Sequence, residues 1–272
     1  MADVSEFALS GRVAIVTGGS TGIGHGIALG MAKAGAAVVL AARSAGALDA
    51  AREEVGAFGN GVLAVAADVT RREDVLRLVG NAIDAFGRVD ILVNNAGATF
   101  GATFRRAPLL DLTDRDIDDN LALNFRSMLV CAQAVVPHMT GHGDGAIINI
   151  SSMAGREHDH PTAGFGVYPA AKAAIITLTK CMAVEWAPQV RVNCIAPGVI
   201  DTPRVSAARP ADRLSTQLAT IALGRIGLPA DVAGAAVFLA SDAASWITGS
   251  ILDVHGGIKS SWVPVRPAGG PG

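Results

Sequence analysis

The chain has 272 residues, half of them apolar and 32 of them glycine, with a formal net charge of −2. That balance offers no basic field for nucleic acid and no polybasic segment for a membrane surface. No uninterrupted apolar run reaches the roughly 20 residues that span a bilayer. Asp3 and Glu6 stand where a secretory signal would be basic, so a cytoplasmic protein is expected. The three cysteines, Cys131, Cys181 and Cys194, lack CxxC spacing and read as buried free thiols in a reducing compartment.

Strand-like and helix-like segments alternate along the chain. Arg12–Thr17 is a short apolar run, followed by a glycine-rich turn and a helical stretch to Ala34, closed by Gly35. Further strands are expected at Ala37–Ala42, Gly61–Ala67, Asp90–Val93, Ala146–Ile150, Val190–Ile195 and Ser250–Val254. Helices are expected near 71–86, 114–136, 166–187 and 229–240. The pattern predicts an α/β fold: a doubly wound, seven-stranded parallel sheet with helices on both faces, in one domain over 1–272. The polar stretch 203–222 reads either as a substrate lid or as a plain surface excursion. The Pro/Gly-rich tail 264–272 reads as a flexible end.

The first turn, Thr17-Gly18-Gly19-Ser20-Thr21-Gly22-Ile23-Gly24, joins strand to helix. A pyrophosphate needs close backbone approach and amide groups facing it at a helix N-terminus, and glycines at 18, 22 and 24 permit both. A turn shaped only for packing is the plainer alternative. Position after a buried strand favours a dinucleotide held by Gly18, Ser20, Thr21, Gly22, Ile23 and Gly24. The second strand ends Ala42-Arg43-Ser44, without the carboxylate that an NAD ribose usually meets. Arg43 can instead pair with a 2′-phosphate, so NADP(H) is expected over NAD(H); a solvated surface arginine is the alternative. Asp68-Val69, ending the third strand, are candidates for the adenine, with Asp68 as a helix cap beside Thr70 as the alternative.

Tyr168, the chain's single tyrosine, precedes Lys172 by four residues at the start of an expected helix, so both side chains share a face. Pro169 suits the first helical turn. Reduction of a ketone needs a proton donor at the forming alkoxide, and a free phenol, with a pKa of about 10, releases its proton too reluctantly at neutral pH. A neighbouring ammonium and the positive ring of an oxidised nicotinamide are expected to lower that pKa. Tyr168 is thus the candidate general acid/base, and Lys172 its partner and a holder of the cofactor ribose.

Together these residues resemble the short-chain dehydrogenase/reductase family. The resemblance runs from about residue 10 to 258 through Thr17–Gly24, Asn94–Gly97 (NNAG), Ser152, Tyr168/Lys172, Asn193–Thr202 and Leu223–Gly257. It implies a Rossmann fold, an NAD(P) cofactor and interconversion of alcohols and carbonyls. It implies roles for Ser152 as the carbonyl-orienting hydroxyl and Asn124 as the holder of a relay water. Ser151 and Asn120 are the weaker neighbours. It implies that Asn95 and Gly97 let the cofactor lie along strand four, and that Pro197, Gly198, Ile200 and Thr202 hold the nicotinamide. It also implies a homotetramer paired through 114–136 and 166–187 and through the C-terminal helix and strand.

Two departures stand out. The segment from Ser152 to Tyr168 is longer than in many members and carries Arg156-Glu157-His158-Asp159-His160. Paired histidines on a loop without further anchoring ligands are a weak metal signal, so no metal is expected. Where members often have Asp-Gly-Gly, this chain has His255-Gly256-Gly257. The leading expectation is an NADP(H) oxidoreductase for a small secondary alcohol or ketone. A 3-oxoacyl thioester reductase is the alternative, with Arg105, Arg106, Arg126 and Arg204 as its candidate carrier patch. A catalytically silent cofactor-binding regulator is the reading from another class.

Overall fold

A computed structural model describes residues 4–98, 105, 107–156, 165–208, 215 and 218–257. The seven strands are β1 (Val13–Thr17), β2 (Ala37–Ala42), β3 (Val62–Ala66), β4 (Ile91–Asn94), β5 (Gly145–Ile150), β6 (Val190–Pro197) and β7 (Ile251–Val254). They lie side by side in the order β3-β2-β1-β4-β5-β6-β7, and every pairing is parallel. The fold is the expected doubly wound Rossmann arrangement. Each strand found overlaps its expected run, with ends shifted by a residue or two.

Continuous apolar runs suit strands covered on both faces, and β1 and β5 are buried at every position. Alternation divides their side chains between two core layers. Ala14, Val16 and Ile148 pack with Ile27 and Met31 of α1 (Gly22–Lys33) and with Val232 and Ala236 of the helix Pro229–Ala240. Val13, Ile15 and Ile147 pack on the other face with Leu78 of α3 (Arg72–Phe86), Val135 of α5 (Ser127–Thr140) and Met182 of α6 (Val167–Glu185). Ile15 and Ile147 are fully buried, and each such side chain contributes about 1.5–3 kcal/mol relative to exposure.

Three helical features differ from expectation. Ala45–Gly56 is a helix, α2, unassigned in the sequence; Ser44 starts it by accepting from the Ala47 amide at 3.4 Å. The stretch 114–136 is not one helix. It comprises α4 (Asp114–Leu121), opened by a Thr113/Asp116 capping box, then a π-helical turn, Ala122–Arg126, then α5, which runs on to Thr140 through Pro137. The polar stretch after β6 opens with a short helix, α7 (Pro203–Ala208). Residues 209–214, 216 and 217 and the tail 264–272 lie outside the described residues. In chain order the helix Pro229–Ala240 is α8.

Cys131 and Cys194 are buried free thiols, but Cys181 is exposed, against expectation. It sits on the outward face of α6, whose inward face carries Ile175, Thr179 and Met182. Strand order reverses between β1 and β4, which opens a crevice beyond their C-terminal ends.

Candidate active site

The turn after β1 forms one wall of that crevice. Gly18 and Gly22 have φ of 64° and 58°, a backbone that L side chains rarely adopt. A Cβ on Gly24 would stand 2.2 Å from the Gly18 carbonyl oxygen, so the first turn of α1 packs directly on the strand end. Thr21 occupies the N-cap of α1 without a side-chain capping bond, which leaves the first-turn amides to another acceptor. Ser20 and Ile23 are half-buried beside it.

The turn is braced from β4. Thr17 donates its hydroxyl to the Val93 carbonyl and accepts from the amides of Asn95 and Ala96. Asn95 donates its side-chain amide to the carbonyls of Thr17, at 3.0 Å, and Gly18, at 3.3 Å. Asn95 therefore supports the turn from below. Arg43 is exposed at the end of β2, and Ser44 beside it caps α2. Asp68 spends one carboxylate oxygen on the Thr70 amide and hydroxyl, at 3.0 and 2.7 Å, while Val69 is buried. These residues fit a dinucleotide: uncapped helix amides, left-handed glycines and a cation in place of a carboxylate.

The opposite wall is made of buried side chains. Tyr168 and Lys172 lie on the inner face of α6, 9% and 3% exposed. Lys172 donates to the Ile150 carbonyl at 2.9 Å, and its nitrogen lies 5.7 Å from the centre of the Tyr168 ring. Ser152 hydrogen-bonds Tyr168 and accepts from the Ala154 amide at 3.1 Å. Ser151, by contrast, donates to the backbone of Lys172 at 2.7 Å and anchors α6. Phe165 meets the Tyr168 ring edge-on, centres 5.4 Å apart.

Burial dominates the titration of this pair. The Tyr168 phenol is pushed up to about 12 by desolvation, opposed by its bond to Ser152. Lys172 is pushed down to about 8 by the same burial. The expected lowering of the phenol is thus reversed in the protein alone: loss of water outweighs the hydrogen bond from Ser152.

Asn124, on the π turn, is buried and bonded through both side-chain atoms. It accepts from the Ala98 amide at 3.0 Å and donates to the carbonyls of Ala98 and Asn120, at 3.1 and 3.2 Å. Its side chain therefore holds the strand-four loop. A Cβ on Gly97 would stand 2.9 Å from Asn124 Oδ1 and 3.2 Å from Lys172 Nζ. That close approach joins the loop, the π turn and α6 at one point. Asn120 is also buried, and among the described residues neither of its side-chain polar atoms has a partner.

The remaining candidates lie beyond β6. Thr202 caps α7 through its hydroxyl, and its methyl stands 3.2 Å from a Cβ built on Gly22, over the glycine turn. Ile200 is buried and bridges Gly227, which leaves only its backbone for a ligand. Pro197 ends β6, and Gly198 packs against His255, the position of the Asp-to-His departure. Arg204 donates to the Gly97 carbonyl at 3.4 Å, a contact that no sequence pattern reveals. Arg156 leaves the Ser152 loop to pair with Asp253 on β7 at 3.1 Å. His158, Asp159, His160 and Arg106 lie outside the described residues.

Residues 18–259 match a family model described as Enoyl-(Acyl carrier protein) reductase, of the short-chain dehydrogenase type. The chain belongs to the short-chain dehydrogenase/reductase family. Among its relatives, this short-chain dehydrogenase/reductase is 38% identical to 2-dehydro-3-deoxy-D-gluconate 5-dehydrogenase of Escherichia coli, covering 93% of this chain and 98% of that one. It is 41% identical to cis-4-hydroxycyclohexanecarboxylate dehydrogenase of Sinomonas cyclohexanicum, covering 92% and 97%. A solved 7α-hydroxysteroid dehydrogenase, complexed with NADH and 7-oxo glycochenodeoxycholic acid, is 36% identical and superposes with a TM-score of 0.88, covering 94% and 98%. The short-chain dehydrogenase/reductase described here is accordingly an oxidoreductase of small molecules.

Proposed function

We propose that the protein transfers a hydride between NADP(H) and a secondary alcohol/ketone pair, with Tyr168 as general acid/base. The observation that carries this reading is the convergence of Ser152, Tyr168 and Lys172 across the crevice from an uncapped, glycine-lined helix N-terminus. The bound cofactor supplies the hydride and, when oxidised, a positive charge. Ser152 orients the carbonyl oxygen by hydrogen bonding. Tyr168 gives its proton to the forming alkoxide in reduction and takes it back in oxidation. Lys172, held by the Ile150 carbonyl, stabilises the phenolate and bonds the cofactor ribose. Asn124 positions Gly97 and Ala98 against Lys172 and keeps a relay water within reach.

The amides of Gly18 and Ser20 through Gly24 hold the pyrophosphate, Asp68 and Val69 border the adenine, and Asn95 and Gly97 line the path between them. Pro197, Gly198, Ile200 and Thr202 hold the nicotinamide end. Arg43 takes the 2′-phosphate, which favours NADP(H) over NAD(H). The protein works in the cytoplasm as a homotetramer; exposed Val184 and Trp246, 82% and 98% accessible, support burial in an assembly. A monomeric mass by light scattering would contradict the tetramer.

The description of the family model favours an acyl-thioester substrate as the second reading. Dispersal of the arginines weighs against it: Arg126 reaches the Thr70 carbonyl and Arg105 reaches Asp111 and Asp116. The test is a panel of ketones, secondary alcohols and 3-oxoacyl thioesters followed by NADPH absorbance. Tyr168→Phe is expected to lower kcat by about 10²–10⁴-fold with cofactor affinity intact. NADPH binding with no turnover, unchanged by the substitution, would point to a regulatory cofactor binder instead.

A further inference from the structure

We propose that Arg204 binds a carboxylate on the substrate, so that the preferred substrate is an oxo or hydroxy acid rather than a neutral ketone or alcohol. The inference rests on hydride transfer at Tyr168 and names the class of molecule that the same site accepts.

Thr202 caps α7, and Pro203 opens it, so Arg204 is carried on the first turn of a helix anchored beside the crevice. Its guanidinium reaches the Gly97 carbonyl. Gly97 in turn lies against Lys172 Nζ and Asn124 Oδ1. The cation therefore stands on the catalytic side of the crevice. Thr202, two residues earlier, is the residue that faces the glycine turn at Gly22.

Arg204 is underused by the protein. A guanidinium has five N–H donors in a fork that matches a carboxylate. Among the described residues it makes one long bond, of 3.4 Å to a carbonyl. Among the described residues no carboxylate pairs with it. By contrast, Arg105 pairs with Asp116 and Arg156 with Asp253. The nearest acid in sequence, Asp201, accepts from the Ser206 hydroxyl. An exposed guanidinium close to a buried ammonium raises the positive potential at the crevice, which a substrate anion offsets. A molecule with its ketone at Ser152 and Tyr168 and its carboxylate at Arg204 engages both the proton donor and the cation on the catalytic side.

A cofactor phosphate offers related anionic chemistry, so the experiment separates the two. Pyruvate, acetoacetate and levulinate, which place the carboxylate at increasing distance from the ketone, are each compared with their methyl ester. Initial rates with NADPH are measured for the wild type, Arg204→Gln and Arg204→Lys. The expected result is a wild-type preference for at least one acid over its ester by tenfold or more. Arg204→Gln lowers kcat/KM for that acid by about ten- to a hundredfold, mostly through KM, and leaves the ester within about threefold. Arg204→Lys recovers part of the loss, and NADPH affinity by fluorescence titration is unchanged. Equal losses on acid and ester, or no acid preference in the wild type, overturn the proposal. A matching loss of NADPH affinity also overturns it and assigns Arg204 to the cofactor. Calorimetric titration of the three acids into the protein–NADP⁺ complex reads the contact without turnover. Binding that Arg204→Gln abolishes, in a protein that turns over neither acid nor ester, refutes hydride transfer while sustaining the anion site; absent or unaltered binding refutes the anion site itself.

Discussion

The two walls of the crevice are made of different materials. At the glycine turn the groups on offer are backbone amides, and the shape depends on what is missing: a Cβ at Gly18, Gly22 and Gly24. At the catalytic wall they are buried side chains, and burial itself moves Tyr168 and Lys172 in opposite directions from their ordinary values. The first wall is sensitive to shape and indifferent to pH. The second depends on which groups carry protons.

The sharpest way to break the contrast is at Lys172. Lys172→Met should lower kcat/KM by about 10²–10⁴-fold while the fold persists. It should also change the pH dependence of stability. Between about 8 and the ordinary 10.5 of a free lysine, the unfolded chain holds a proton that folded Lys172 has released, so Lys172 contributes stability that grows with pH across that window, opposed above pH 9 by the buried Cys131 and Cys194 thiols, pushed up to about 12 and about 11. Between 10.0 and about 12 the folded chain holds the Tyr168 proton that the unfolded chain has lost, so stability falls there. The difference in urea midpoint between wild type and Lys172→Met should change with pH across the first window, and that between wild type and Tyr168→Phe across the second, with the thiol contributions common to each pair. Unchanged curves would mean that burial is not what sets these values.

The backbone wall is tested by adding one methyl group. Gly24→Ala must move a carbonyl oxygen that would lie 2.2 Å away, at a cost of about 3 kcal/mol. Gly80→Ala, on α3 with open space around it, should gain about 1 kcal/mol. Thermal melts of the two variants should shift in opposite directions, and equal shifts would remove the distinction. Arg43→Ala should weaken NADPH by about ten- to a hundredfold and leave NADH unaffected, as measured by kcat/KM for each cofactor. The smallest effect belongs to Arg156 and Asp253, both partly exposed, whose double-mutant coupling should stay below about 1 kcal/mol in chemical denaturation.

The backbone wall was the more legible in sequence. Strands covered on both faces read as unbroken apolar runs, and the glycine spacing announces the turn between them. Tyr168 and Lys172 also declared themselves, because four residues on a helix define a shared face. Features set by distant contacts were silent. The π turn exists where Asn124 reaches across to Ala98, twenty-six positions earlier in the chain. The α2 helix, with only three buried residues, leaves little apolar periodicity to read. The direction in which the phenol moves depends on burial supplied by several elements, and the ammonium four residues away was the only local guide. Arg204 meets Gly97 across 107 positions, beyond any local pattern.

Because Tyr168 is the chain's single tyrosine, the candidate proton donor carries its own reporter. Phenolate absorbance in the near ultraviolet comes from this one ring, with no other phenol to subtract. A fluorinated tyrosine supplied during expression would give one fluorine resonance, located at the reacting atom's own ring. Cofactor docking, substrate entry and the proton's departure can then be followed by the spectrum of a single residue.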